Sequence, residues 1–235
     1  MSDRFPHIRH PSTTGNTHLY LVRHGRTASN VDGLLHGWTD VPLDDHGQAQ
    51  ARRIADRFLE LPPVDALVSS PLNRALTTAT LIGERIGMMP RIEPDLMEIN
   101  FGQIEGVSVA RLVEEHPEIS ARLDDLDDHE AGWPGGDTRR GFHERVYAAF
   151  LAIMAEYHDH RVAVVAHGGV IGSFLATIHG VNPNDWSRFH VHNCSLTHLE
   201  VVQDGTSIHL ENDICHLDDL DDAIDPMTAA LEGSR

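Results

Sequence analysis

The sequence predicts an α/β fold, a three-layer α/β/α sandwich with a mainly parallel central sheet. The first observation is a unit that occurs three times, in which a short apolar run ends at a polar or glycine-containing motif and passes into a helical pattern. The second is that these runs are apolar on both faces, as in a sheet covered by helices on two sides. The third is the length of 235 residues, which suits one large domain.

The first apolar run, HLYLV at 18–22, has the β-branched and aromatic content of a strand. It stops at Arg23, His24 and Gly25. The predicted strand therefore has basic residues at its carboxyl end.

The second run, VDALV at 64–68, ends at two serines and Pro71. Ser70 followed by proline is a helix-start signal, in which the hydroxyl caps the helix and proline fills its first position. The segment 72–87 that follows has apolar residues at the three-and-four spacing of one buried helix face. These residues are Leu72, Ala75, Leu76, Ala79 and Ile82.

The third run, VAVVA at 162–166, predicts a buried strand that ends at His167, and the following segment 170–180 predicts a helix. Two later runs, 196–202 and 206–211, are separated by a short turn containing glycine. They predict a hairpin towards the edge of the sheet.

Two arginines and two histidines are expected to meet at one point of this fold. Ligands bind beyond the carboxyl ends of strands in an open parallel sheet, and there the sequence places Arg23, His24, Arg74 and His167. The formal net charge of the chain is −18, so this cluster is a local positive pocket in an acidic molecule. Arginine binds tetrahedral oxyanions through its planar fork, and neutral histidine serves as nucleophile or acid–base group. The cluster favours a phosphate ligand.

The composition excludes several classes of function. A charge of −18 disfavours binding to nucleic acid and to anionic membrane surfaces. All 18 basic residues are arginine, which excludes Schiff-base chemistry and a Walker lysine. Residues 1–17 are predicted to be a polar extension without the apolar centre of a signal peptide, and 218–235 an acidic tail. No membrane span is expected, and the location is predicted to be cytoplasmic.

No metal or disulfide is expected. Cys194 and Cys215 lack zinc-site spacing and are interpreted as two small buried hydrophobic residues. Two pairs of histidines at alternate positions would share a strand face, but no third ligand is organised with either pair. These pairs are His158 with His160 and His190 with His192.

Six motifs in a fixed order resemble those of the histidine phosphatase superfamily, also called the phosphoglycerate mutase-like family. They are LYLVRHGRTASN, GWTDVPLDDHGQAQA, SSPLNRALTTA, EINFGQIEG, PGGDT and VVAHGGVI. The resemblance covers residues 18–217, where NDICHL is similar to a frequent family ending. It implies a phosphoglycerate mutase-like fold for this domain.

The resemblance also implies a covalent phosphohistidine mechanism without metal or cofactor. His24 matches the residue that takes the phosphoryl group, and Glu98 matches the proton donor. Arg23, Arg74 and His167 match the phosphate pocket. Phosphoryl transfer through a loose transition state needs positioning and charge stabilisation, which such a pocket supplies.

Further matches are assigned to the binding of substrate or phosphate. Thr27 and Asn30 match positions whose hydroxyl and amide add hydrogen bonds to phosphate oxygens. Gly37 matches a loop glycine that lets backbone approach the substrate, and Gly168 belongs to the phosphate site. By resemblance, residues 103–137 cover the pocket as a lid.

Departures from the mutase pattern favour a phosphatase. Mutases of the family usually have arginine after the acidic residue and a lysine that holds the substrate carboxylate, whereas Glu98 is followed by Ile99 and lysine is absent. His167 is followed by two glycines, as in the phosphatase branch, and the motifs resemble α-ribazole phosphatase-like and broad-specificity members. We therefore expect a metal-independent phosphomonoesterase acting on small phosphorylated metabolites.

Two alternatives stay open at this point: a cofactor-dependent phosphoglycerate mutase, and a non-catalytic protein that binds a phosphate ligand. Asp137 stands where glutamate is commoner in the family, which leaves its contact open. Gly172 replaces an arginine of many phosphatases. A homodimer is expected in preference to a monomer, and Trp186 and Phe189 belong either to the core or to the dimer contact.

Overall fold

The protein is built on one six-stranded sheet, as seen in a computed structural model that describes residues 15–203 and 205–220. The spatial order is β3-β2-β4-β1-β5-β6. The first four of these are mutually parallel, β5 pairs antiparallel with β1, and β6 pairs antiparallel with β5. The strands are β1 Thr17–Arg23, β2 Ala66–Ser69, β3 Arg91–Ile92, β4 Arg161–Ala166, β5 Leu196–Val202 and β6 Gly205–Asp213.

Seven α-helices connect and cover the strands in the described part of the chain. They are α1 Ala28–Val31, α2 Asp45–Arg57, α3 Asn73–Ile86, α4 Leu112–Glu115, α5 Pro117–Asp124, α6 Arg139–Glu156 and α7 Gly168–Ile178. Short 3₁₀ turns at Pro94–Leu96, Gly102–Ile104, Val109–Arg111, Pro183–Phe189 and Cys215–Leu217 complete the connections.

Two separate cores lie on the two faces of the sheet. Successive side chains of a strand point to opposite faces, so Leu19 and Leu21 pack with α6 and α7, whereas Tyr20 and Val22 pack with α2 and α3. Each of these four side chains is at most 1% exposed. The predicted three-layer sandwich with a mainly parallel sheet is confirmed.

The predicted start of α3 is wrong by two residues. The helix begins at Asn73 with Leu72 as its cap residue and no capping side chain. The backbone N–H of Ser70 still donates to the Val165 carbonyl at 3.0 Å, which continues the pairing with β4. Its hydroxyl lies 2.7 Å from Nε2 of His167. Ser70 serves the sheet and a histidine, and so it cannot cap the helix.

The predicted edge hairpin is confirmed, since β5 pairs with β6 and β6 is the outermost strand. Trp186 and Phe189 are partly buried and pack against the core on the α6 and α7 face, which is one of the two places predicted for them. Of the two cysteines, Cys194 is buried, but the expectation for Cys215 is wrong because its side chain is exposed. In that final turn Leu217 is the residue that points inward.

The predicted termini lie mostly outside the described residues. Of the N-terminal extension, residues 1–14 are outside, and Thr17 already belongs to β1; of the acidic tail, 221–235 are outside. Within 15–203 and 205–220, no helix has the length and apolar character needed to cross a bilayer. The homodimer and the cytoplasmic location stay predictions.

A buried histidine joins α6 to α7. Nδ1 of His143 lies 2.7 Å from Oγ of Ser173, and His143 is only 2% exposed. Burial, with a smaller contribution from the charge of Arg139, lowers the pKa of His143 to about 3. The folded protein therefore keeps this imidazole neutral in mild acid.

This histidine is expected to make the fold acid-sensitive. Below pH 6.5 the unfolded chain takes up a proton at this position, and the folded chain does so only near pH 3. The free energy of unfolding is then lower by about 2–3 kcal/mol at pH 4.5 than at neutral pH from this group alone. Urea unfolding of His143→Gln should show a pH dependence smaller by that amount. The exposed His160→Gln variant should keep the wild-type slope, and identical slopes in all three proteins would contradict the assignment.

Candidate active site

A cavity of about 420 Å³ opens where the parallel strands end. Its floor follows β1 and β4 and contains Arg23, His24, Gly168 and Gly169. Glu98 and Asn30 also line the cavity, and residues of the segment 103–137 supply a further part of its wall. The topology thus brings together groups from distant parts of the sequence.

His24 has a defined tautomer and no positive charge at neutral pH. Nδ1 lies 2.7 Å from the carbonyl oxygen of Gly25, so Nδ1 carries the proton and donates it. The lone pair is therefore on Nε2. Burial, followed by the charges of Arg74, His167 and Arg23, lowers the pKa of His24 well below 6.5. The imidazole is a neutral nucleophile in a cationic surrounding.

Arg74 on α3 is completely buried and holds the loop that follows α1. Nη2 donates to the carbonyl of Gly37 at 2.7 Å, and Nη1 donates to that of Thr39 at 3.1 Å. Nε is buried without a hydrogen-bond partner among the described residues. Burial lowers the pKa of Arg74 to about 10, so the guanidinium stays charged at neutral pH. Arg74 is therefore a buried cation whose Nε–H remains available to donate a hydrogen bond.

His167 is the cap residue of α7 and is fully buried. Its ring centroid lies 5.2 Å from that of His24. The hydroxyl of Ser70 accepts from the N–H of Leu72 at 3.4 Å, which leaves its proton to donate to Nε2 of His167 at 2.7 Å. The proton of His167 is then on Nδ1, a buried atom without a partner among the described residues. Burial and Arg74 lower the pKa of His167 well below 6.5.

Asn30 supplies a further donor, and Thr27 positions it. Oδ1 of Asn30 accepts from the N–H and the hydroxyl of Thr27, both at 3.0 Å. This fixes Nδ2 as a buried donor without a partner among the described residues. Thr27 itself does not line the cavity, because its hydroxyl caps α1. Nearby, Nη1 of Arg23 donates to the carbonyl of Val191 at 2.7 Å.

Glu98 is held at the N-terminus of α7. Oε2 accepts from the N–H of Gly169 and Oε1 from the N–H of Ile99, each at 3.0 Å. A Cβ on Gly169 would lie 2.4 Å from Oε1 of Glu98, so glycine is required for this contact. The helix N-terminus favours a carboxylate at this position. The carboxyl group is part of the cavity wall and is oriented by backbone alone.

Gly37 does not contribute to the cavity wall. Its carbonyl accepts from Arg74, and a Cβ would lie 1.7 Å from the carbonyl oxygen of Ile99. The missing side chain lets two backbone segments touch, so that Arg74 reaches the loop. This contact is a packing reason for glycine at the position.

Glu105 was not singled out from the sequence, although it lies in the EINFGQIEG motif. Its carboxylate accepts from the N–H groups of Gly37, Trp38, Thr39 and Phe101 at 2.9–3.2 Å. Burial alone raises the pKa of Glu105, but the hydrogen bonds from these residues bring it below its usual value. Glu105 therefore fixes the carbonyls that receive Arg74.

Arg145 on α6 holds the backbone around Glu98. Its guanidinium donates to the carbonyls of Met97 at 2.6 Å and Glu98 at 3.2 Å. It also pairs with Asp137 at 2.9 Å, and Asp137 accepts from the N–H of Asn100 at 3.0 Å. The contact of Asp137 that the sequence left open is thus a brace for the Glu98 loop.

No group of three histidine, cysteine or carboxylate side chains is arranged to hold a metal ion within residues 15–203 and 205–220. The polar atoms that lack partners on Asn30, Arg74 and His167 are all hydrogen-bond donors in this network. Arg23 and Asn30 line the cavity with the neutral imidazole of His24, whereas Arg74 and His167 are not among its lining residues but act electrostatically on that imidazole. Such a set fits a tetrahedral oxyanion.

Comparison with known proteins gives a consistent result. The sequence profile of the histidine phosphatase superfamily (branch 1) matches residues 19–214. A Hydrogenobacter thermophilus protein provisionally named phosphoserine phosphatase 2 is 29% identical over 84% of this chain and 96% of its own. A probable phosphoglycerate mutase GpmB of Escherichia fergusonii is 29% identical over 85% of this chain and 94% of its own. The crystal structure of the α-ribazole phosphatase from Shigella flexneri has a TM-score of 0.73 and 28% identity, with 83% of this chain and 96% of that chain covered.

The donor set predicts that inorganic phosphate binds and that Asn30→Asp weakens it. Aspartate keeps the acceptor oxygen for Thr27 but replaces the Nδ2 donor by a second carboxylate oxygen. Phosphate affinity, measured by isothermal titration, should fall by about 10²-fold or more. Asn73→Asp makes the same charge change at an exposed position and should bind like the wild type. Equal affinities in the wild type and Asn30→Asp would contradict the role of Asn30.

Proposed function

The chain belongs to the histidine phosphatase superfamily, and from this premise we propose that it is a phosphatase that hydrolyses monoesters of small phosphorylated metabolites through a phosphohistidine at His24. One observation carries the proposal. The Nδ1 proton of His24 is donated to the Gly25 carbonyl, and burial beside Arg74 keeps the ring neutral, so Nε2 is a nucleophile at neutral pH.

In the first step, Arg23, Arg74 and the donors Asn30 Nδ2 and His167 Nδ1 hold the phosphate oxygens. Nε2 of His24 attacks phosphorus, so that a P–N bond forms while the P–O bond to the leaving alcohol breaks. Glu98, in its protonated form, gives its proton to the leaving oxygen. The charge that develops on the phosphoryl oxygens meets donors that are already in place.

In the second step, the Glu98 carboxylate takes a proton from water, and the water oxygen attacks phosphorus. The P–N bond breaks, inorganic phosphate leaves, and the lone pair returns to Nε2. Glu98 regains in the second step the proton that it gives in the first, and His24 regains its lone pair. Together they must lower the barrier by on the order of 20 kcal/mol, since spontaneous hydrolysis of phosphate monoesters is extremely slow.

A mutase is the second candidate, and the name of the Escherichia fergusonii relative favours it. Conversion of 3-phosphoglycerate, assayed with and without 2,3-bisphosphoglycerate, tests it directly. A non-catalytic ligand binder would instead be labelled slowly and stoichiometrically without turnover. The proposed hydrolase releases phosphate from a panel of monoesters in the presence of EDTA.

His24→Ala should abolish turnover and leave the fold intact. We expect kcat for nitrophenyl phosphate to fall by more than about 10³-fold, because the nucleophile is lost. Acid-labile labelling by a radioactive phosphate ester should disappear with it. The exposed His209→Ala variant on β6 serves as control and should keep full activity. Turnover retained by His24→Ala would remove the nucleophile assignment.

Glu98→Gln should separate esters by their leaving groups. A poor alkoxide leaving group needs the proton, whereas nitrophenolate does not. Rapid-mixing experiments on glycerol 3-phosphate should show the first step slowed by about 10²–10⁴-fold. Nitrophenyl phosphate should still give a burst of nitrophenol, followed by slow hydrolysis of the phosphoenzyme. An equal loss in the first step for both esters would point to an electrostatic role for Glu98.

A further inference from the structure

The part of the cavity beyond the phosphate end has a different character from its floor. The wall that does not follow the strand ends is built from Phe101, the segment 103–137, the start of α6 and the 3₁₀ turn Pro183–Phe189. We infer that this wall selects monoesters of uncharged, largely apolar or aromatic alcohols over esters that carry a second acid group. The inference rests on the proposed phosphatase function and names its substrate class.

The side chains that form this wall are mostly large and apolar. They include Phe101, Leu112, Leu123, Trp133, Phe142 and Trp186. The rings of Phe101 and Trp133 meet edge to face at 4.9 Å between centroids, which gives the wall a rigid aromatic patch. An apolar leaving group would remove this surface and its own from water. The uncharged polar residues of this wall are Thr138, His143, Asn184 and Ser187, so a polar leaving group finds few hydrogen-bond partners there to replace its hydration.

Arg139 is the one arginine in this wall among the residues that the structure describes, and its guanidinium binds backbone carbonyls. Arg139 donates to the carbonyl of Asp125 at 2.6 Å and to that of Leu123, at the end of α5. The guanidinium of Arg139 therefore caps the C-terminal end of α5 by donating hydrogen bonds to backbone oxygens. Asp124 lies in the same wall and adds a negative charge. A substrate carboxylate would meet repulsion there.

Besides His24, the cavity is lined by His36, His143 and His190, and the first two of these do not supply a cation. Burial, with the charge of Arg74, lowers the pKa of His36 to about 4, and burial lowers the pKa of His143 to about 3. Both rings line the cavity and are neutral at pH 7. The arginine charges that act on His24 are those of Arg23 and Arg74, at the phosphate end of the site.

The first test compares esters of similar alkyl alcohols, so that the chemistry of the leaving group does not decide the result. The esters are 2-phenylethyl phosphate, glycerol 3-phosphate, phosphoserine and 3-phosphoglycerate. We expect kcat/KM for 2-phenylethyl phosphate to be about tenfold above that for glycerol 3-phosphate and about 10²-fold above those of the two acids. Higher kcat/KM for phosphoserine or 3-phosphoglycerate would overturn the inference and leave the phosphatase intact. Hydrolysis of none of the four would overturn the proposed function itself.

A matched pair of variants on α4 tests the wall directly. Leu112 lines the cavity, and its neighbour Val113 is 63% exposed. Leu112→Ser should lower kcat/KM for 2-phenylethyl phosphate by about tenfold, mainly through KM, and change that for glycerol 3-phosphate by less than about twofold. Val113→Ser should leave both unchanged. Equal losses on both esters in Leu112→Ser, or no loss on either, would overturn the assignment of the wall as the selective element.

Discussion

The buried guanidinium of Arg74 is the interaction on which the rest of the site depends. A charge without solvent is costly, and here backbone carbonyls of His36, Gly37 and Thr39 offset that cost. The same charge lowers the pKa of His24 and of His167, after burial itself, and so keeps both rings neutral. One side chain thereby positions a loop, sets the protonation of the nucleophile and supplies positive charge for an oxyanion.

Two carboxylates, Glu105 and Asp137, make this arrangement rigid, although neither of them lines the cavity. Glu105 fixes the loop that receives Arg74, through hydrogen bonds from four backbone N–H groups. Asp137 and Arg145 fix the backbone on either side of Glu98. Hydrogen bonds to charged groups are the stronger ones in proteins, and buried networks of them specify one geometry. The donors that remain without partners are thus held in place before any ligand arrives, which is the condition for electrostatic catalysis.

Charge is distributed unevenly in this molecule, and the distribution relates to the proposed specificity. The chain has a net charge of −18, yet the cations at the strand ends are collected around His24. The wall that contains Phe101, the segment 103–137 and Trp186 is mostly apolar. In this wall Arg139 donates to backbone carbonyls, and Asp124 adds a negative charge. A single phosphate is attracted to one end of such a cavity, and a second anionic group finds no matching site at the other.

The layers of the fold and most of the residues around His24 follow from the amino-acid pattern. Continuous apolar runs such as 162–166 identify buried strands, and the carboxyl ends of parallel strands must lie on one side of the sheet, so the pattern alone predicts that Arg23, His24, Arg74 and His167 meet. Contacts between distant segments depend on the folded chain. Ser70 stands where a helix cap is expected, but its hydroxyl binds His167. Cysteine is usually a buried residue, but Cys215 lies exposed. The apolar wall is contributed by segments from Phe101 to Trp186, and no local pattern marks side chains that meet only after folding. Periodicity reports which face of an element is buried; it does not report which element covers it.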